Sequence, residues 1–260
     1  MRTKKAFALL ATATVLTSTA ALASPIIFDR GLPSINLNNA AGASRSNVTW
    51  TSVGGTGFTG DDFRIGSVGE TYRIDSLTVW GAQYDPLSDD IDNIWLYLGK
   101  AGQSLSLLST GIVSGNTNSN SNITHSAVTY ADGTTAVYQG SGGGFYSVMQ
   151  TTFSGLDLLI DGGVTYNFGV DGDKYEWWSH ASNAALSGTT QEGADGKYLE
   201  FTTSNLALVT TWDSSVVGWD KSSDINVQIT GTQVPEPATL ALVGLALVGL
   251  GAARRRQQAQ

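Results

Sequence analysis

The chain has 260 residues, 14% of them charged and 41% hydrophobic, with 31 glycines and no cysteine. That composition excludes disulfides, is too apolar and aromatic for a disordered chain, and favours turns and short strands over helices. Residues 24–234 hold 8 basic against 21 acidic side chains, a net charge of −13 that argues against nucleic acid as a partner and fits solubility outside the cell.

The N-terminus reads "MRTKKAFALLATATVLTSTAALAS". Arg2, Lys4 and Lys5 precede an uncharged Ala- and Leu-rich stretch that ends Ala21-Leu22-Ala23. Small residues at Ala21 and Ala23 fit the narrow pocket of signal peptidase, which predicts a cut between Ala23 and Ser24 and a secretory signal peptide over 1–23. A retained membrane anchor is the competing reading, weakened by the four threonines and one serine in the stretch.

The body then reads as strands. "DSLTVWG" (75–81) fits a half-buried strand. In "NIWLYLGK" (93–100), Ile94, Leu96 and Leu98 take one face and Trp95 and Tyr97 the other, the pattern of a strand covered on both sides. "GNTNSNSN" (115–122) reads as an exposed loop, and Asp132-Gly133 in "YADGTTAVY" is a hairpin signal. "FYSVMQTTF" (145–153) is a further strand. After the turn Asp161-Gly162-Gly163, the residues Val164, Tyr166, Phe168 and Val170 alternate with polar or small ones, and Ile225, Val227 and Ile229 mark the last strand. About ten short strands separated by Gly-, Asn- and Asp-rich turns predict an all-β fold, an antiparallel two-sheet sandwich of jelly-roll-like form, as one domain over 24–232. Asn47-Val48-Thr49 and Asn122-Ile123-Thr124 match the glycosylation sequon, a weak signal.

Catalytic signals are sparse. The two histidines, His125 and His180, lack a neighbouring Gly-x-Ser-x-Gly elbow, and two histidines without cysteine do not suggest zinc. "DPLSDDIDN" supplies Asp85, Asp89, Asp90 and Asp92, and "DGDKYE" supplies Asp171, Asp173 and Glu176. Of these, Asp89, Asp90, Asp92, Asp171 and Asp173 are candidate calcium ligands, because hard cations take several oxygens on tight turns. Aspartate is equally a turn former at strand ends, and neither stretch follows the EF-hand loop. "DKYEWWSH" brings Tyr175, Trp177 and Trp178 together beside acidic residues, a candidate rim for stacking sugar rings of an extracellular polysaccharide. Adjacent tryptophans on a strand point to opposite faces, so at most one of them serves a given surface, and a sandwich core uses such aromatics readily.

Near the end, "VPEPATLALVGLALVGLGAARRR" spans 234–256. Pro235 and Pro237 keep the chain extended ahead of 16 uncharged residues, 238–253, which as a helix reach about 24 Å against a hydrocarbon core of about 30 Å. Flanking residues and local thinning cover the difference, and Arg254, Arg255 and Arg256 form a cytoplasmic stop, so a single C-terminal membrane span is predicted. The order Pro235-Glu236-Pro237, short apolar span and arginine cluster resembles the PEP-CTERM sorting signal of exported proteins in Gram-negative bacteria. The resemblance covers the tail, 233–260. It implies an exosortase as partner, with Pro235, Glu236 and Pro237 as its recognition site and transfer of the body to the cell surface or extracellular matrix.

Two functions follow as expectations. The first is a non-enzymatic exported protein with a structural, adhesive or glycan-contacting sandwich. The second is a secreted polysaccharide hydrolase, which needs two carboxyl groups about 5–9.5 Å apart in an open cleft.

Overall fold

Alternating side chains make strands wherever this sequence carries them. The structure, a computed structural model, describes residues 23–32, 46–49, 57–83, 93–112, 120–139, 145–172, 177–182, 191–213, 223–235 and 237–258. Its strands are β1 (Ile26–Arg30), β2 (Ser46–Thr49), β3 (Gly57–Arg64), β4 (Thr71–Gln83), β5 (Asn93–Lys100), β6 (Ser106–Ile112), β7 (Ile123–Ala127) and β8 (Val137–Gln139). They continue as β9 (Phe145–Asp161), β10 (Thr165–Gly172), β11 (Trp178–Ser182), β12 (Lys197–Thr202), β13 (Leu208–Asp213), β14 (Asp224–Ile225) and β15 (Val227–Val234), followed by the helix α1 (Pro237–Gln258).

The strands form two antiparallel sheets. The first has nine strands, ordered β1-β15-β4-β11-β14, with β9 also on β4, β7 and β8 on β9, and β2 on β11. The second runs β13-β12-β3-β10-β5-β6. Nine and six strands exceed the eight of a simple jelly roll, but the predicted two-sheet antiparallel architecture is what the described residues build.

The core lies between the sheets. Phe28, Leu77, Val79, Phe153, Val227 and Ile229 from the first sheet meet Phe63, Leu96, Tyr166, Phe168 and Val170 from the second. Phe28 and Phe63 touch across the gap with ring centroids 5.8 Å apart. The outer faces are partly covered too. Trp80, Ala82 and Val148 pack with Ala136 and Tyr138 on the outer face of the first sheet. Phe58, Leu199 and Phe201 pack with Leu105 outside the second, where Tyr97 stacks on Phe58 at 4.8 Å. The two-sided cover expected for "NIWLYLGK" is therefore present: Ile94, Leu96 and Leu98 are buried inside while Tyr97 is covered outside.

The hairpin at Asp132-Gly133 is closed by Tyr130 N–H donating to Thr134 O at 2.8 Å, with Gly133 at φ 84°. The strand expected over 145–153 continues to Asp161 as β9, paired along β4 through a bulge. Likewise β15 runs two residues past the expected boundary at 232. Its backbone ladder continues through Gln233↔Tyr72 and Val234↔Thr71 after the alternation of buried residues has ended. Residues 115–119 of the expected loop lie outside the described residues.

Candidate functional site

Two residues, Pro235 and Glu236, join the sandwich to the tail helix. Val234 pairs with Thr71 at the end of the last strand, Pro235 is exposed, and α1 starts at Pro237, where a fixed φ suits the first helical position and no amide hydrogen is missed. Glu236 lies outside the described residues. Along α1, Leu242, Val243, Leu245, Leu247, Val248 and Leu250 are 53–71% exposed. Arg254 and Arg255 are exposed near its end, and Arg256 follows within the helix. Among the described residues no helix is long and apolar enough to cross a membrane, so the predicted span is not shown. The physical reason is already in the sequence, where the uncharged run of 16 residues falls short of the hydrocarbon thickness.

At the other terminus Ala21 lies outside the described residues and Ala23 is exposed. Ser24 donates its hydroxyl to Asp75 Oδ2 at 2.5 Å, and β1 begins two residues later. The expected cut thus falls immediately before the first strand.

The aromatic and acidic candidates divide. Trp177 is fully buried and cannot present a face to a sugar, which corrects its assignment to a glycan rim. Its ring lies over Gly81, where an added Cβ would stand 2.5 Å from it, so only glycine admits the indole. His125 approaches the same ring at 6.1 Å between centroids. Trp178 faces the other way, half-buried, and meets Tyr146 edge-on at 4.9 Å. The expected opposition of the two tryptophans therefore holds, with one in the core and one outside it. Tyr175, Asp85, Asp89, Asp90, Asp92, Asp173 and Glu176 lie outside the described residues. Asp171 sits at the end of β10 opposite Trp95 of β5. No group of three or more metal-ligating side chains occurs among the described residues.

The densest polar constellation is one that motif reading missed. Arg30 at the end of β1, Asp61 in β3 and Asp224 in β14 are all buried. Arg30 Nη1 stands 3.4 Å from Asp61 Oδ2 and 3.5 Å from Asp224 Oδ1, and Arg30 Nη2 donates to Asp62 O. Asp61 Oδ2 accepts from Ile225 N–H at 2.9 Å, and Asp224 Oδ1 accepts from Asp195 and Gly196 N–H at 2.8 and 3.0 Å. Burial pushes the Asp61 carboxyl up to about 8, with Arg30 opposing the shift and Asp224 adding to it. Burial raises Asp224 as well, again against Arg30. One guanidinium thus faces two carboxyl groups, and at neutral pH Asp61 keeps its proton, so no net charge is left buried.

Beside it Asn226 Nδ2 donates to Gly31 O at 2.7 Å and Ser182 Oγ at 2.9 Å. That leaves the Asn226 Oδ1 to accept from His180 Nδ1–H at 2.8 Å, which fixes the tautomer. Burial holds both His180 and His125 down to about 4, so both are neutral at pH 7. His125 spans Thr151 Oγ1 at 2.8 Å and Gln83 Oε1 at 3.3 Å. The arrangement braces the first strand against β3 and the last strands. The sequence signal for it was the alternation itself, which puts Arg30 on the face of Phe28 and Asp61 on the face of Phe63.

No curated protein and no solved structure matches the chain. A family model does match at the C-terminus: residues 233–256 carry the PEP-CTERM protein-sorting motif, which implies an exported protein processed by an exosortase.

Proposed function

We propose that the chain is a non-enzymatic exported protein whose β-sandwich is delivered to the cell surface or extracellular matrix for a structural, adhesive or glycan-contacting role. The observation that carries the reading is the sorting motif at 233–256, which begins in the last two residues of β15 and takes in most of a helix whose apolar side chains find no cover in the body. Signal peptidase removes 1–23. The tail helix then enters the membrane with local thinning, and Arg254, Arg255 and Arg256 remain on the cytoplasmic side. Exosortase recognises Pro235, Glu236 and Pro237 and cuts near them, releasing or transferring the body.

The non-enzymatic part rests on burial. Among the described residues, the carboxyl pair that shares Arg30, Asp61 and Asp224, is buried with it rather than set in a cleft, so this pair does not meet the geometry of a glycosidase. His180 is buried and His125 half-buried, and burial keeps both neutral at pH 7.

The test is fractionation of the native host carrying either the wild-type chain or a Pro235→Ala, Glu236→Ala, Pro237→Ala variant. The wild type is expected in the surface or matrix fraction and the variant in the inner membrane. Equal release of both would overturn the sorting role of the motif.

A further inference from the structure

Both ends of the folded body leave it at the same place. β1 and β15 are antiparallel neighbours with Ile26 opposite Thr230, and Gly231 N–H donates to Pro25 O at 2.9 Å. Ser24, the first residue after the expected signal cut, and Val234, the last of β15, therefore lie at one end of the sandwich. Thr71, paired with both Val234 and Asp161, belongs to that end. So does the turn joining β3 to β4, whose tip is Val68, 83% exposed. This turn is stiff. Ser67 N–H donates to Glu70 Oε2 at 2.7 Å, Gly162 N–H to Glu70 O at 2.8 Å and Gly163 N–H to Ile65 O at 2.8 Å. Gly66 and Gly69 hold φ values of 62° and 98°, which glycine adopts without strain.

We infer that this end of the sandwich, with the Val68 turn foremost, rests against the lipid headgroups while the tail is inserted. The inference depends on the membrane entry proposed above and adds an orientation and a contact surface to it. From Val234, held in the ladder, to Pro237, the first helical residue, are three Cα steps, at most about 11 Å when extended. The headgroup layer of one leaflet is about 5–8 Å thick. The uncharged run reaches about 24 Å where the hydrocarbon needs about 30 Å, so the helix has no apolar length to spare and its first turn sits at the hydrocarbon boundary. A tether this short keeps the exit end within a few Å of the headgroups. The surface there suits such a place. Val68 offers an apolar tip, and Arg64 is exposed at the end of β3 on the same side, for the headgroup phosphates, while Lys100 at the end of β5 is paired with Asp161 at 2.7 Å. The opposite end, at Gln83 and Phe145, is about 40 Å away along β4 at 3.3 Å per residue.

Because the chain has no cysteine, single labels can be placed cleanly. The experiment uses the full chain as Val68→Cys, Phe145→Cys or Leu245→Cys, each carrying an environment-sensitive fluorophore, in vesicles of phosphatidylethanolamine and phosphatidylglycerol. Val68 and Phe145 are both exposed apolar residues, so neither label disturbs the core. A mid-bilayer quencher is expected to extinguish the label at 245, and a headgroup quencher the label at 68, while the label at 145 keeps its emission. Quenching at 245 with none at 68 would overturn the contact surface and leave the tail insertion standing. Equal quenching at 68 and 145 would also overturn it, as adsorption without orientation. No quenching at 245 would remove the insertion itself and the inference with it.

Discussion

β15 and α1 are separated by two residues and treat their apolar side chains in opposite ways. In β15, Val227 and Ile229 are wholly buried between two sheets, whereas in α1 the leucines and valines from Leu242 to Leu250 stay more than half exposed. Each buried side chain in the strand contributes about 1.5–3 kcal/mol of transfer free energy, and the helix gains none of this from the body. The difference shows that apolar content alone does not mark a core residue. In β15 the period-2 pattern matches a partner within the chain. In α1 the residues are apolar on every side, and a helix of that kind takes its surroundings from outside.

The contrast can be broken most sharply at the buried charges. Arg30→Met strands the buried Asp224 carboxylate without its cation and is expected to cost about 3–5 kcal/mol in denaturant unfolding, whereas Arg254→Ala in the tail leaves the midpoint unchanged. Wild-type stability in Arg30→Met would show that the cluster does not hold the sheets together. Next comes the apolar comparison. Ile229→Ala is expected to lose about 2–5 kcal/mol through the cavity it leaves, while Leu247→Ala moves the unfolding of the body by less than about 0.5 kcal/mol. Similar losses from both would mean that the tail packs on the body after all.

Acidity sharpens the same picture, because among the described residues the buried polar groups lie in the body. Unfolded, Asp61 titrates near 3.8, but in the fold it keeps its proton to about 8. The folded state therefore binds the extra proton between these values, and this contribution falls as pH rises from about 4 to about 8. His125 and His180 act in the other direction. They titrate near 6.5 when unfolded and about 4 when folded, so their contribution rises with pH across that window and is lost as pH falls. Together they predict greatest stability near pH 6.5 and a decline toward pH 8. Asp61→Asn is expected to flatten that decline, measured by thermal unfolding across pH 4–9. The smallest effect belongs to the sheet edge. Trp212 on β13 is 39% exposed and donates Nε1–H to Glu200 Oε2 at 2.8 Å. Trp212→Phe is expected to cost about 1 kcal/mol in the same assay.

How far the sequence was legible follows from which interactions are local. Alternation in 93–100, 145–153 and 164–170 placed strands where they are, because the period of a half-buried strand is written in consecutive residues. The tail was equally legible, since its prolines, apolar run and arginines lie side by side, and the family match at 233–256 covers that stretch. What the sequence hid is long-range. Arg30 meets partners 31 and 194 positions away, and no spacing rule links them. Trp177 read as a candidate binding residue because its neighbours are polar, but the space over Gly81, 96 residues earlier, is what takes it into the core. The missed strand β3 explains part of this. Gly57, Gly60 and two adjacent aspartates disguise "GFTGDDFR", although Thr59, Asp61 and Phe63 all point inward.

The central claim is that the tail is an address removed from a finished sandwich. The direct measurement is the intact mass of the protein recovered from the surface or matrix of its native host. The account predicts a chain that begins at Ser24 and ends near Val234, with β15 whole and α1 gone. A mature mass that still includes Arg254, Arg255 and Arg256 would contradict it and leave the helix a permanent part of the protein.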